Sequence, residues 1–135
     1  MRILFVCVHN AGRSQMAEAY LNAFAKERGL DIVAESAGTM GGKGINPLAA
    51  TAMEEDGVSL LRHSPKVITQ AMVDAADRII TMGCGVDADA CPARFLVTED
   101  WGLADPAGQP LDEVRRIRDQ VKARVLRLVE GLQAL

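Results

Sequence analysis

Apolar positions along this chain follow two alternating patterns. Ile3 to Val6 is an unbroken apolar run that stops on Cys7. Ile32–Ala37, Arg78–Met82 and Arg94–Thr98 are further short stretches without regular polar alternation, and each predicts a strand. Helical spacing fills the intervals. In 14–28, Met16, Tyr20 and Phe24, with Ala17 and Leu21, form one stripe that Gly29 ends. Asn46-Pro47 reads as N-cap and N1 of a helix reaching about Asp56, closed by Gly57. Thr69 caps a short helix over Gln70–Ala76, and Leu111–Leu132 carries Val114, Ile117, Val121, Val125, Leu128 and Leu132 on one face. Residues 38–46 form a glycine-dense loop. Residues 58–68 are irregular, 84–92 a polar loop or weak turn, and 99–110 a long ordered loop.

Strands that lack alternation are buried on both faces, and intervening helices supply the crossovers between parallel neighbours. The expectation is an α/β fold in three layers: a four-stranded parallel sheet flanked by helices, in one domain spanning 1–135. Ligands of such sheets sit at the C-terminal ends of the strands. That edge would carry Cys7, Cys84 and the 99–110 loop together.

Composition narrows the partners. A formal net charge of −3 argues against nucleic acid and anionic membrane surfaces. No apolar stretch reaches the length of a membrane span, and Ile3–Val6 is too short for a signal segment. A cytoplasmic monomer is expected. Three cysteines, an odd number, argue against a secreted disulfide scaffold.

The candidate chemistry begins at Cys7-Val8-His9-Asn10-Ala11-Gly12-Arg13-Ser14. A strand, a loop holding Cys-x5-Arg-Ser and then a helix would curl backbone N–H groups and a helix N-terminus around one point. That geometry holds a tetrahedral oxyanion above a nucleophilic sulfur. The planar fork of Arg13 suits two oxyanion oxygens, and Ser14 could donate to the thiolate. Gly12 permits close approach, and Asn10 would brace the loop or take a positive φ. Cys-x5-Arg alone is a weak signal, since a strand-end thiol and a surface arginine would look the same. The flanking strand and helix sharpen it. Lacking Gly-Lys-Ser/Thr, it is not a nucleotide phosphate loop. Asp105-Pro106, otherwise a plain turn, falls on the same edge and is the candidate general acid. His9 is as readily solvated as catalytic, His63 is a loop residue, and Trp101 is a lid or packing anchor.

Cys84 and Cys91 remain. Their x6 spacing, with no nearby His, disfavours zinc, and neither a metal nor a cofactor is expected. Two further thiols on the edge that carries a nucleophilic cysteine suggest a thiol–disulfide relay.

These residues resemble the arsenate reductases built on the low-molecular-weight tyrosine phosphatase fold. The matching stretches are 5–18, Glu35–Thr39, Asn46–Ala49, Cys84-x6-Cys91-Pro92 and Asp100–Gly108. The resemblance implies arsenate held by the 8–14 loop and Arg13, attacked by Cys7 and protonated by Asp105. It then implies attack by Cys84, a Cys7–Cys84 disulfide, resolution by Cys91, and reduction of Cys84–Cys91 by thioredoxin. Glutaredoxin with glutathione is the other possible donor. Some relatives hold K⁺ beside the loop with residues matching Asn10, Glu18 and Ser36 and an acidic residue. Here Lys66 falls in that neighbourhood, and no K⁺ requirement is expected. Two rival readings use the same loop. A phosphatase for phosphotyrosine or small phosphate esters needs neither later cysteine. It would usually have an aromatic after Asp-Pro, where Ala107-Gly108 stands. A non-enzymatic oxyanion or arsenite-binding module would use the three thiols without turnover.

Overall fold

A computed structural model describes residues 1–83, 93 and 97–135. Its elements in chain order are β1 (Arg2–Cys7), α1 (Arg13–Glu27), β2 (Val33–Gly38), α2 (Pro47–Glu55), α3 (Gln70–Ala75), β3 (Arg78–Thr81), β4 (Glu99–Asp100) and α4 (Leu111–Gln133). The strands form one parallel sheet in the order β2-β1-β3-β4. The four-stranded α/β expectation is therefore met.

The pleat explains the apolar run of β1. Ile3, Phe5 and Cys7 face a core shared with α1, α2 and α4, while Leu4 and Val6 face a second core with Ile68, Ile79 and α3. Both faces are covered, so neither set of alternate positions is polar. The apolar face of α4 buries Val114, Ile117, Val121 and Val125 in the first core. Trp101 is 2 % exposed and packs against Phe5 with ring centroids 5.4 Å apart; it is a core anchor.

Local signals read correctly at several ends. Asn46 caps α2 by accepting from the amides of Leu48 and Ala49, and Thr69 caps α3 by accepting from Met72. Gly29 and Gly57 end their helices with φ of +65° and +75°.

The fourth strand is displaced. It was expected over Arg94–Thr98 and is found at Glu99–Asp100, within what reads as a loop. Val97 and Thr98 are exposed and outside the ladder, and 94–96 lie outside the described residues. The cause lies at Thr98, whose Oγ1 accepts from the Ile79 amide at 3.0 Å. The Thr98 backbone amide still donates to Ile79 O at 2.8 Å, but with its side chain taking the place of a ladder carbonyl the paired register starts at Ile80↔Glu99.

Candidate active site

The end of β1 carries Cys7, and α1 begins six residues later at Arg13. No side chain caps α1. Its first-turn amides are thus left for a ligand at the mouth of the loop. Asn10 sits at φ 54°, the positive value that its short amide side chain tolerates. Its backbone N–H donates to Cys7 Sγ at 3.3 Å.

The backbone N–H of Lys66 can only donate, so the Asn10 atom that it meets at 2.9 Å is Oδ1. Asn10 Nδ2 then donates to Ser14 Oγ at 2.8 Å. Ser14 Oγ lies 3.0 Å from Cys7 Sγ; an ionised sulfur can only accept, so towards the thiolate the Ser14 hydroxyl is the donor. The Asn10 backbone amide and, towards a thiolate, the Ser14 hydroxyl both favour negative charge on the sulfur.

A buried polar layer supports this arrangement. Gln15 Nε2 donates to Asn10 O and Oδ1 and to Ser64 O, which makes Gln15 Oε1 an acceptor from His63 Nδ1 at 2.8 Å. His63 Nδ1 also lies 3.0 Å from Glu18 Oε2. Ser36 Oγ and Lys66 Nζ each donate to Glu18 Oε1 at 3.1 Å. Lys66 is brought there by a bridge between Gly38 and Val67 that lays residues 66–68 beside the end of β2.

Arg13 is 7 % exposed and does not project freely. Its Nη1 donates to Met82 O at 3.0 Å and to Leu103 O at 2.8 Å, and Nη2 lies 3.7 Å from Asp105 Oδ2. Two carbonyls thereby fix the guanidinium and hold together the end of β3 and the loop that bears Asp105. The other oxygen of Asp105 accepts from the Ala107 amide, a turn of the type that Asp-Pro favours. Pro106 closes over Gly12, where a Cβ would come within 2.7 Å of Pro106 Cγ.

Above the sulfur opens a cleft of about 990 Å³. Cys7, Val8, His9, Ala11, Gly12 and Arg13 line it, with Gly41 to Lys43 on one rim and Leu103 to Gly108 on the other. Asn10 and Ser14 are fully buried behind this wall and work from beneath. His9 is exposed at the mouth. Cys84 and Cys91 lie outside the described residues. The described chain reaches Gly83, which also lines the cleft.

The profile of the low molecular weight phosphotyrosine protein phosphatases matches residues 2–135. The chain belongs to this family. Within it, the glutaredoxin arsenate reductase of a Synechocystis species is 36 % identical over 129 residues, covering 95 % of each chain. A solved arsenate reductase in the phosphate-binding state superposes with a TM-score of 0.81 at 34 % identity, over 96 % of this chain and 97 % of that one. The thioredoxin-dependent arsenate reductase Cg_ArsC1' of Corynebacterium glutamicum matches at 35 % identity with a TM-score of 0.78. That match covers 98 % of this chain and 62 % of the Corynebacterium chain. This member of the phosphatase family thus has arsenate reductases among its homologues at about one-third identity.

Among sequence signals, those for Gln15, His63 and Asp100 went unread. Gln15 falls inside the 14–28 helical stretch and His63 inside the irregular 58–68 segment, and neither position carries a local signal for a role in the site. Asp100 sits within the loop reading of 99–110, yet its Oδ1 binds the Thr81 hydroxyl and the Gly83 amide. Each has partners 17 to 49 residues away, and no local pattern encodes that.

Proposed function

We propose that this protein reduces arsenate to arsenite, with Cys7 as nucleophile, Cys84 and Cys91 as a thiol relay and thioredoxin as reductant. The observation that carries the reading is the bond from Arg13 Nη1 to Met82 O. It ties the arginine to the chain two residues before Cys84, and two extended residues of backbone span at most about 7 Å.

Arsenate sits on the loop amides and on the edge of Arg13 that the two carbonyls leave open. Cys7 thiolate attacks arsenic, and Asp105 delivers the proton that lets an oxygen leave as water. Cys84 thiolate then attacks Cys7 Sγ. The S–As bond breaks, its electron pair stays on arsenic, and arsenite departs as Cys7–Cys84 forms. Cys91 thiolate attacks Cys84 Sγ and returns Cys7 as thiolate. A dithiol, thioredoxin in this reading, reduces Cys84–Cys91. The relay operates with thiols kept reduced, as in the cytoplasm. The described residues include no helix long and apolar enough to cross a membrane.

The test follows NADPH loss with arsenate, thioredoxin and thioredoxin reductase. Wild type turns over and Cys7→Ser is inactive. Cys91→Ser completes one round and stops as Cys7–Cys84. Full turnover by both Cys84→Ser and Cys91→Ser would sink the relay. Replacing thioredoxin by glutaredoxin and glutathione identifies the donor, and arsenite bound without turnover would favour the binding-module reading.

A second reading, phosphate-ester hydrolysis, draws on the same Cys7, Arg13 and Asp105. The described lining of the cleft has no Phe, Tyr or Trp to wall a phenol ring. Small inorganic oxyanions therefore fit this cleft better than aryl phosphates, and ester hydrolysis is expected as a weak side activity.

A further inference from the structure

The end of β3 and the loop bearing Asp105 are clasped together by one carboxylate. Asp100 Oδ1 accepts from Thr81 Oγ1 at 2.6 Å and from the Gly83 amide at 2.8 Å, and the Gly102 amide also bonds this carboxylate. These bonds hold its carboxyl below the usual carboxylate range, with the Thr81 hydroxyl as the largest cause.

Gly83 is pressed into the clasp. Its φ is +77°, and a Cβ there would come within 2.7 Å of Gly102 Cα and Leu103 N. On the cleft side, Arg13 Nη1 holds Met82 O and Leu103 O. The residue that immediately precedes Cys84 is therefore fixed from two sides. Its carbonyl neighbour is bound by a buried guanidinium, and its own amide by a carboxylate. The Asp105 loop has separate supports in Leu103 O, in Pro106 over Gly12 and in the Ala107 turn. For the Gly83 amide, Asp100 is the side-chain acceptor.

We propose that Asp100 is a positioning residue for the disulfide step: by holding Gly83, it sets the point from which Cys84 reaches Cys7. The inference rests on Cys84 being the second nucleophile. Asp100 touches neither substrate nor sulfur and acts through the backbone.

The quantity that reports positioning is the effective concentration of Cys84 towards Cys7. It is measured without arsenate, in the Cys91→Ser background, by equilibrating the protein with reduced and oxidised glutathione and quantifying Cys7–Cys84 by mass spectrometry. Glutathione disulfide takes up the two electrons as the protein disulfide forms. Asp100→Ala should lower the effective concentration about tenfold or more, the size expected for losing hydrogen bonds to a charged group. Asp100→Asn keeps one acceptor oxygen on the same skeleton and should fall between. Half-saturation by arsenate in the first turnover should stay within about twofold, because the loop and Arg13 keep their partners. Should Asp100→Ala not fold, Thr81→Val removes one clasp bond at constant shape and should shift the equilibrium the same way. An effective concentration unchanged or raised in these variants would overturn the inference and leave the relay standing. No Cys7–Cys84 disulfide even with Asp100 intact would overturn the relay and this inference with it.

Discussion

Lys66 is a single side chain with a disproportionate place in the site. Its ammonium meets Glu18 Oε1 at 3.1 Å, and the same oxygen accepts from Ser36; His63 meets the other oxygen. Its backbone amide holds Asn10 Oδ1, which orients the amide group that orients Ser14 beneath Cys7. The ammonium thus puts a positive charge on Glu18, in the neighbourhood where the family resemblance places K⁺ in some relatives. Activity should be indifferent to exchange of K⁺ for Na⁺ at constant ionic strength, and a steep rise with K⁺ would contradict this. Lys66→Ala removes the charge but keeps the backbone bond. It should cost about 1 kcal/mol of stability, a small figure because the side chain is 42 % exposed and partly screened. Its activity should fall and recover in part with added K⁺; equal activity in both salts would show that no cation is needed there.

Among the elements, α1 and the Asp105 loop meet at Gly12 and Pro106. Gly12 has no Cβ, and one placed there would stand 2.7 Å from Pro106 Cγ. Gly12→Ala should therefore push Pro106 away and shift Asp105 with it. The expected result is a fall in kcat of about tenfold or more, as for a displaced general acid, with a change in Tm of only a few degrees. Matched measurements of turnover and thermal unfolding check this; unchanged kcat would show that the loop yields without moving its acid. The elements also show where reading from the chain failed. α1, α2, α3 and α4 were legible because each has its own apolar period or cap. β4 was not. Two residues carry no period, and its start depends on Thr98 diverting the Ile79 donor. The apolar character of 94–98 pointed to a strand a few residues too early.

Over the whole molecule, two carboxylates tie distant segments together and make stability depend on acid. Asp56 is held below its usual range by the Lys122 ammonium and the Tyr20 hydroxyl, joining the end of α2 to α4 and α1. Asp100 is held low by Thr81 and by the Gly83 and Gly102 amides, joining β3 to β4. Groups depressed in the native state remain ionised where the unfolded chain takes up protons. Their contribution is full above the unfolded carboxylate pKa of about 4 and is lost as pH falls through the lower native values. Tyr20 has the opposite sign. Burial and the neighbouring Asp56 raise its pKa, so its contribution is complete below about pH 10 and declines as the unfolded chain ionises. Denaturant midpoints should form a plateau between these limits and drop on both sides. Asp56→Asn should flatten the acid limb, and an unaltered limb would remove Asp56 from the account.

The primary structure was sufficient for the class of fold, the strand–loop–helix around Cys7 and the presence of two further thiols. Each of these is local: a period, a cap, or a spacing within one turn of chain. It was not sufficient for Gln15 and His63, which join Glu18, Ser36 and Lys66 in the layer beneath the sulfur; the other three were placed beside the loop only by the family resemblance. Nor did it reveal that Arg13 and Asp100 bind adjacent groups at the end of β3, Met82 O for one and Thr81 and the Gly83 amide for the other. Those contacts exist because parallel strands return to the same edge and bring sequence-distant backbone groups within hydrogen-bond distance. Which donor meets which acceptor there is set by packing, and packing has no signature in a linear pattern.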